Sequence, residues 1–483
     1  MSEAEWALHT DKYQINMMYA HWKQGTLNRK AVFEAYFRKL PFGNGYAVFA
    51  GLERIVEYLQ GLRFGENAIR YLRSQDERYD EGFLAELSRF RFTGSLSAMW
   101  EGTLAFPNEP LLRVEARVFE AQLIETALLN FMNYQTLIAT KASRIKRVAP
   151  RERLLEFGTR RAQEADAAVW GARAAYVAGF HATSNMRAGM RFGIPTSGTH
   201  AHSWVQGHES EEDAFRRFAE ALPDHVTLLV DTYDTLKSGV PNAIRIGKEL
   251  EKRGKRLKGI RLDSGDLAYL SKRARKMLDE SGFSDTLIVA SNDLDENIIA
   301  ELKAQGAKID VWGVGTQLIT AFDQPSLGGV YKLVAREGDG GMEPVIKISG
   351  NPEKISNPGM KDVYRIVAED SGMAEADYIC LSHEPMPSGE TPLKLIDPLH
   401  PHRFKIVNRY EAIPLLHPVI DSGRQVGRLP GLDQIRANHE RQLAMFWPEY
   451  LRKLNPETYR VNFSPAMLEL KGKLLAEHRE STE

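Results

Sequence analysis

The strongest constraint on the fold lies in residues 154–334, where short apolar runs recur at roughly 25- to 30-residue intervals, most followed by an amphipathic, charged stretch long enough for a helix. Strands are expected at residues 154–157, 179–183, 194–196, 226–231, 259–262, 287–291 and 310–314, with another around 329–333. Helical patterns fill intervals between them, at 211–222, 241–253, 268–281 and 295–305. Three of these close on Gly254, Gly282 and Gly306, as helices do when the chain leaves through a left-handed residue. About seven or eight such βα units point to a closed or nearly closed α/β barrel more than to an open sheet.

The unusual residues fall at or just after the expected strand ends. They are Gly158-Thr159-Arg160-Arg161, Ser184-Asn185, Ser197-Gly198-Thr199, Asp231-Thr232, Asp263-Ser264-Gly265-Asp266, Asn292-Asp293 and Gly313-Val314-Gly315-Thr316. Loops at the C-terminal ends of barrel strands build active sites, so this convergence suits an enzyme.

The flanks have another texture. A strand at 32–37, a helix at 51–60, strand-rich patches at 94–97 and 111–119 and a long helix at 121–145 suggest an N-terminal α+β domain. Beyond residue 335 or so, turn signals such as Gly338-Asp339-Gly340-Gly341 and Pro385-Met386-Pro387-Ser388-Gly389 dominate, and helices return near 432–453. The expected class is α/β: an irregular, incomplete (β/α) barrel at 126–340, an N-terminal α+β domain at 1–125, and a C-terminal appendage at 341–483.

Charge and composition narrow the partners. Lysine and arginine number 63 against 64 acids, so no global field would recruit nucleic acid or an acidic membrane. No apolar run approaches the roughly 18 residues of a membrane helix, and the polar start Met1-Ser2-Glu3-Ala4-Glu5-Trp6 is unlike a secretory leader. The single Cys380 leaves no intrachain disulfide or multi-cysteine zinc site. The expectation is a cytoplasmic protein with a small-molecule ligand.

Several motifs carry chemistry. In Pro195-Thr196-Ser197-Gly198-Thr199-His200-Ala201-His202-Ser203-Trp204, a small hydroxyl-rich turn can wrap an anion, and a histidine beside it can serve as base, metal ligand or phosphate acceptor. Arg261-Leu262-Asp263-Ser264-Gly265-Asp266 sets a guanidinium that can grip a carboxylate or phosphate beside acids for hydroxyls or Mg²⁺; a salt-bridged surface turn is the plainer reading. Phe157 suits core packing or a stacking platform for a flat ligand. Asp231 can serve Mg²⁺, ribose hydroxyls or a helix cap. His200, His202 and His208 also admit a zinc hydrolase, although among the other expected strands only that of His181 carries a histidine.

Taken together, the motifs resemble the nicotinate phosphoribosyltransferase family. The resemblance runs through Thr10-Asp11-Lys12-Tyr13-Gln14, Phe33-Glu34-Ala35-Tyr36-Phe37-Arg38, Glu125-Thr126-Ala127-Leu128-Leu129-Asn130, Phe157-Gly158-Thr159-Arg160-Arg161 and Ala182-Thr183-Ser184-Asn185. It continues in Gly198-Thr199-His200-Ala201-His202-Ser203, Arg261-Leu262-Asp263-Ser264-Gly265-Asp266 and Gly313-Val314-Gly315-Thr316. Each is weak alone; their order and spacing are specific. The resemblance implies transfer of a phosphoribosyl group from phosphoribosyl pyrophosphate to nicotinate, with Mg²⁺, ATP as co-substrate, and a homodimer with shared sites. By the same resemblance Phe157 forms one face of a nicotinate sandwich and a partner subunit's copy of Tyr13 the other. Arg261 and Thr199 would meet the substrate carboxylate, Arg160 the pyrophosphate, Asp263 and Asp231 the ribose or Mg²⁺, and Gly313, Gly315 and Thr316 the 5-phosphate. His202 matches the histidine phosphorylated by ATP, while His200 has no carried-over role. Ser184 stands where related nicotinamide enzymes carry an aspartate, which favours the acid over nicotinamide; nicotinamide and quinolinate transferases are the alternatives within the class.

Overall fold

The computed structural model describes residues 3–351 and 354–480. The chain folds as two compact units, one made by residues up to Leu137 together with those from Ser326 onward, the other by Ile138–Pro325.

In the first unit, both ends of the chain build one antiparallel sheet of seven strands, in the order Gly341–Pro344, Gly329–Gly338, Lys30–Phe37, Leu112–Arg117, Ser95–Ala98, His417–Asp421 and Arg424–Gln425. Lys30–Phe37 is central, and the burial of every residue after Lys30 explains its near-continuous apolar sequence. Phe33 stacks on Tyr331 of the neighbouring strand at 4.7 Å. Glu34 is the buried exception, paired with Lys361 Nζ at 2.9 Å. A second sheet of six strands lies wholly within residues 361–463.

Several expectations change here. The strand expected around 329–333 exists but pairs antiparallel with Lys30–Phe37, so it is not a barrel strand. The region after residue 340 is rich in strands, several of which join the N-terminal sheet; the breaks expected near 125 and 340 differ from the observed units. The long helix is also two helices, Val118–Leu123 and Glu125–Val148, and the second spans the boundary between the units.

The second unit is the incomplete α/β barrel. Its six strands are β1 Arg153–Glu156, β2 Ala182–Thr183, β3 Thr227–Leu229, β4 Gly259–Leu262, β5 Leu287–Ala290 and β6 Val311–Val314. All pairings are parallel, in the order β2-β1-β6-β5-β4-β3. A parallel bridge from Thr183 to Thr196 extends the β2 edge, so the expected strand at 194–196 contributes a single bridge. Intervening helices are α1 Glu164–Val177, α2 Met186–Phe192, α3 His202–Gln206, α4 Glu211–Ala221, α5 Val240–Lys252, α6 Leu267–Glu280, α7 Glu296–Ala304 and the single-turn α8 Thr316–Ile319. Leu155, Ala182, Val289 and Val311 pack together from four strands, with Phe157 against them. Because every strand runs the same way, the polar residues that follow them gather at one end. Among the described residues no helix is long and apolar enough to cross a membrane.

Candidate functional site

At the C-terminal end of β4, Arg261 is held by the residue that follows its own strand and by two other loops. Its Nε donates to Ser291 Oγ at 2.8 Å, Nη1 to Thr199 Oγ1 at 3.2 Å and Nη2 to Asp263 Oδ1 at 2.8 Å. Ser291 also donates to the same Asp263 oxygen. A guanidinium tied at all three nitrogens is pre-organised, so little side-chain entropy remains to be lost when an anion arrives. The guanidinium carbon stands 5.6 Å from the centre of the Phe157 ring. Phe157 in turn lies on Gly313, where a Cβ would sit 2.6 Å from the ring carbons. Arginine and ring therefore form a cationic corner beside an aromatic face, suited to a flat anion. A cavity of about 680 Å³ runs along the inside of the sheet, from Phe157 and Thr199 at this end to Arg153, Thr227, Lys258 and Leu287 at the opposite, N-terminal end of the strands.

Asp231 follows β3. Its Oδ2 accepts from the Asp263 backbone N–H at 2.7 Å and from Ser264 Oγ at 2.8 Å, while its buried Oδ1 has no hydrogen-bond partner among the described residues. An orphaned carboxylate oxygen is costly to keep unless something else supplies a hydroxyl or a cation. Among the described residues no three His, Cys, Asp or Glu side chains gather as a metal cage. Asp231 and Asp263 nevertheless fit Mg²⁺, an ion held by one or two carboxylates and completed by substrate phosphates.

His202 opens α3 with its side chain 40% exposed. Its Nδ1 lies 3.1 Å from Thr232 Oγ1 and its Nε2 3.9 Å from Asp263 Oδ2. His200 is buried, and its Nε2 accepts the Leu229 backbone N–H at 3.2 Å. That engagement turns His200 away from shared metal ligation with His202, which removes the basis of the zinc hydrolase reading.

Behind Phe157, Glu156 is buried and its carboxyl is pushed up by loss of solvent, opposed by hydrogen bonds from Thr183 and the Gly158 N–H. Thr183 Oγ1 donates to it at 2.6 Å and accepts from the Asn185 N–H at 2.9 Å, and Asn185 caps α2 through the Ala188 N–H. This chain locks the ends of β1 and β2 together and fixes exposed Ser184, whose own N–H donates to Glu156 O at 2.9 Å.

The site residues expected from sequence thus separate by position. Phe157, Thr199, Asp231, Arg261, Asp263, His202 and Gly313 are linked by direct contacts. Arg160 lies exposed in the turn after β1, with no ion pair to an acid among the described residues. Gly315 and Thr316 begin α8 and are partly exposed, whereas Gly313 is buried and makes room for the Phe157 ring. Tyr13 is on helix Lys12–Lys23 of the other unit, half-exposed, its phenol pushed up by partial burial and then by Glu125 and Asp11. Sequence reasoning missed Ser291 and Glu156 as site-building residues, and named Thr232 and Ser264 within strand-end motifs without giving them a role of their own. Ser291 had a signal, since it precedes Asn292 and Asp293, whose positive φ of 91° and 42° marks a tight turn at a strand end.

Comparison with known proteins covers nearly the whole chain. Models described as the nicotinate phosphoribosyltransferase N-terminal domain, family and C-terminal domain match residues 8–133, 153–362 and 360–471. A nicotinate phosphoribosyltransferase of Bacillus subtilis (strain 168) is 56% identical over 461 residues, covering 95% of this chain and 93% of the relative. One from Dictyostelium discoideum is 35% identical over 515 residues, covering 96% and 87%. The crystal structure of human nicotinic acid phosphoribosyltransferase superposes with a TM-score of 0.87 at 31% identity, covering 96% of this chain and 99% of that one.

Proposed function

This chain belongs to the nicotinate phosphoribosyltransferase family and acts in NAD biosynthesis, and we propose that it does so by an ATP-coupled transfer in which His202 carries the phosphoryl group. The observation that carries the substrate reading is the Arg261 guanidinium held beside the Phe157 face. Nicotinate stacks on Phe157, and its carboxylate meets Arg261 and Thr199. The bidentate fork and hydroxyl offer the acid what a neutral amide cannot exploit equally.

The pyridine nitrogen attacks the anomeric carbon of phosphoribosyl pyrophosphate as the bond to pyrophosphate breaks. That nitrogen carries no proton, so no general base is needed and catalysis is positioning plus charge neutralisation. Exposed Arg160 meets the pyrophosphate, and Gly315 and Thr316 meet the 5-phosphate. Asp231 and Asp263 hold ribose hydroxyls or Mg²⁺, which supplies positive charge to the leaving group when bound. Ser184 leaves the rim without the carboxylate that would repel nicotinate. Tyr13 of a second copy completes the sandwich in a homodimer.

For coupling we assign the His202 proton to Nδ1, 3.1 Å from Thr232 Oγ1, the tautomer that leaves the Nε2 lone pair as the nucleophile. Nε2 takes the γ-phosphoryl group of ATP, ADP leaves, and water later releases phosphate. Two enzyme states with different substrate affinity then make the coupling useful.

The test is turnover with nicotinate, nicotinamide and quinolinate, alongside labelling by ATP carrying γ-³²P. Nicotinate should be preferred, and acid-labile, base-stable label should appear on the parent but not on His202→Ala, which keeps slow ATP-independent transfer. Preference for another pyridine rejects the substrate reading; equal label on His202→Ala rejects the coupling reading.

A further inference from the structure

We propose that His200 is a positioning residue: by accepting the Leu229 N–H it closes the open seam of the barrel sheet and thereby sets where His202 and Thr199 stand.

The sheet ends at β3 on one side, and on the other at β2 and the Thr196 bridge. Strand β3 pairs only with β4, and since the Val230 N–H donates to Arg261 O, the alternation of the strand turns the Leu229 N–H outward, away from β4. Leu229 is buried, so that amide has neither a strand nor open water to pair with. His200 supplies the acceptor, four residues beyond Thr196, so residues 197–200 cross from one edge of the sheet to the other.

An N–H can be accepted only by an unprotonated ring nitrogen. The His200 proton therefore resides on Nδ1, which faces Ala201 O at 3.3 Å. Burial pushes the His200 pKa down, opposed by the hydrogen bond to Ala201 O, while the positive Arg261 and His202 add to the lowering, consistent with a neutral ring. Phe218 and Phe215 of α4 hold the ring from the side, at 4.9 and 6.0 Å between centres.

The functional consequence lies in the neighbours. Thr199, one residue before, accepts from Arg261; His202, two residues after, reaches Thr232, three residues past Leu229. The His202–Thr232 contact therefore spans the same seam as the His200–Leu229 bond, one step nearer the substrates. The inner link is the one that ties this segment to the β3 backbone itself, and so bears most directly on the width across which the outer one is made.

The experiment compares His200→Leu, which keeps apolar packing but offers no acceptor, with His200→Gln, whose Oε1 can reach the place of Nε2. This inference rests on the phosphoryl role of His202 for one readout only, the initial rate of labelling by γ-³²P ATP. The others are the KM for nicotinate without ATP and the imidazole NMR signals of ¹³C-histidine-labelled protein, with the His202 signal identified from His202→Ala. We expect the Leu variant to lose about tenfold in labelling rate, to raise that KM and to shift the His202 signal, and the Gln variant to recover most of each. If the parent itself takes no label, the phosphoryl role fails, and KM and NMR still decide the positioning role. If the Leu variant does not fold by circular dichroism, His200→Asn, too short to reach Leu229, replaces it. Unchanged KM and His202 signal in the variant lacking the acceptor, or equal losses with Gln, overturn the proposal.

Discussion

The chemistry of this site turns on how each side chain is held. Arg261 has the charge and the fork to bind a carboxylate, but its direction comes from Ser291, Thr199 and Asp263, which bind its three nitrogens separately. A lysine in its place keeps the charge and loses that geometry. Arg261→Lys should raise the KM for nicotinate at least about tenfold with little change in melting temperature, as read by steady-state kinetics and calorimetry. An unchanged KM would mean that the guanidinium geometry is not used by the substrate. Arg261, Thr199, Asp263 and His202 were all legible in the sequence, because charged and hydroxyl residues ending apolar runs are conspicuous. Glu156 was not legible as a positioning residue, since its hydrogen bond from Thr183 joins segments 27 residues apart.

Elements decide which of these residues can meet. Six of the expected strands form the parallel sheet where their apolar runs suggested, four of them one to three residues shorter. The run at 329–333 looks the same in sequence as its barrel counterparts, yet it pairs antiparallel in another sheet, because an apolar run specifies burial and not a partner. The turn after β6 illustrates how an element shapes a ligand surface. Gly313 reads in the sequence as part of a phosphate cradle, and in the structure its backbone passes directly under Phe157. Gly313→Ala would put a methyl group 2.6 Å from the ring carbons and force the ring to move. It should weaken nicotinate binding severalfold, measured as KM or by titration of the apo enzyme, while a small change in KM for phosphoribosyl pyrophosphate is expected. A larger effect on phosphoribosyl pyrophosphate than on nicotinate would return Gly313 to the phosphate.

At the scale of the whole chain, the first unit is assembled from both ends, and Glu34 with Lys361 shows the dependence. The two are 327 residues apart in sequence, both buried, and 2.9 Å apart across the unit. Removing one partner leaves a buried charge alone, so Lys361→Met should cost about 3–5 kcal/mol in urea unfolding of that unit. Replacing both, as Glu34→Leu with Lys361→Met, should recover most of the loss. If the single and double variants unfold alike, the pair does not act as a unit.

The sequence by itself determined the alternation of strand and helix, the end of the strands at which chemistry gathers, and the family. These are local periodicities and short motifs, which need no knowledge of what lies across a sheet. Only the tertiary structure decided that the last third completes the N-terminal sheet, that Gly313 lies beneath an aromatic ring, and that His200 spans the seam of the barrel. Each of those depends on which distant segments come within hydrogen-bond or van der Waals reach, and strand pairing between remote segments is set by the packing of the whole and not by the residues of either strand.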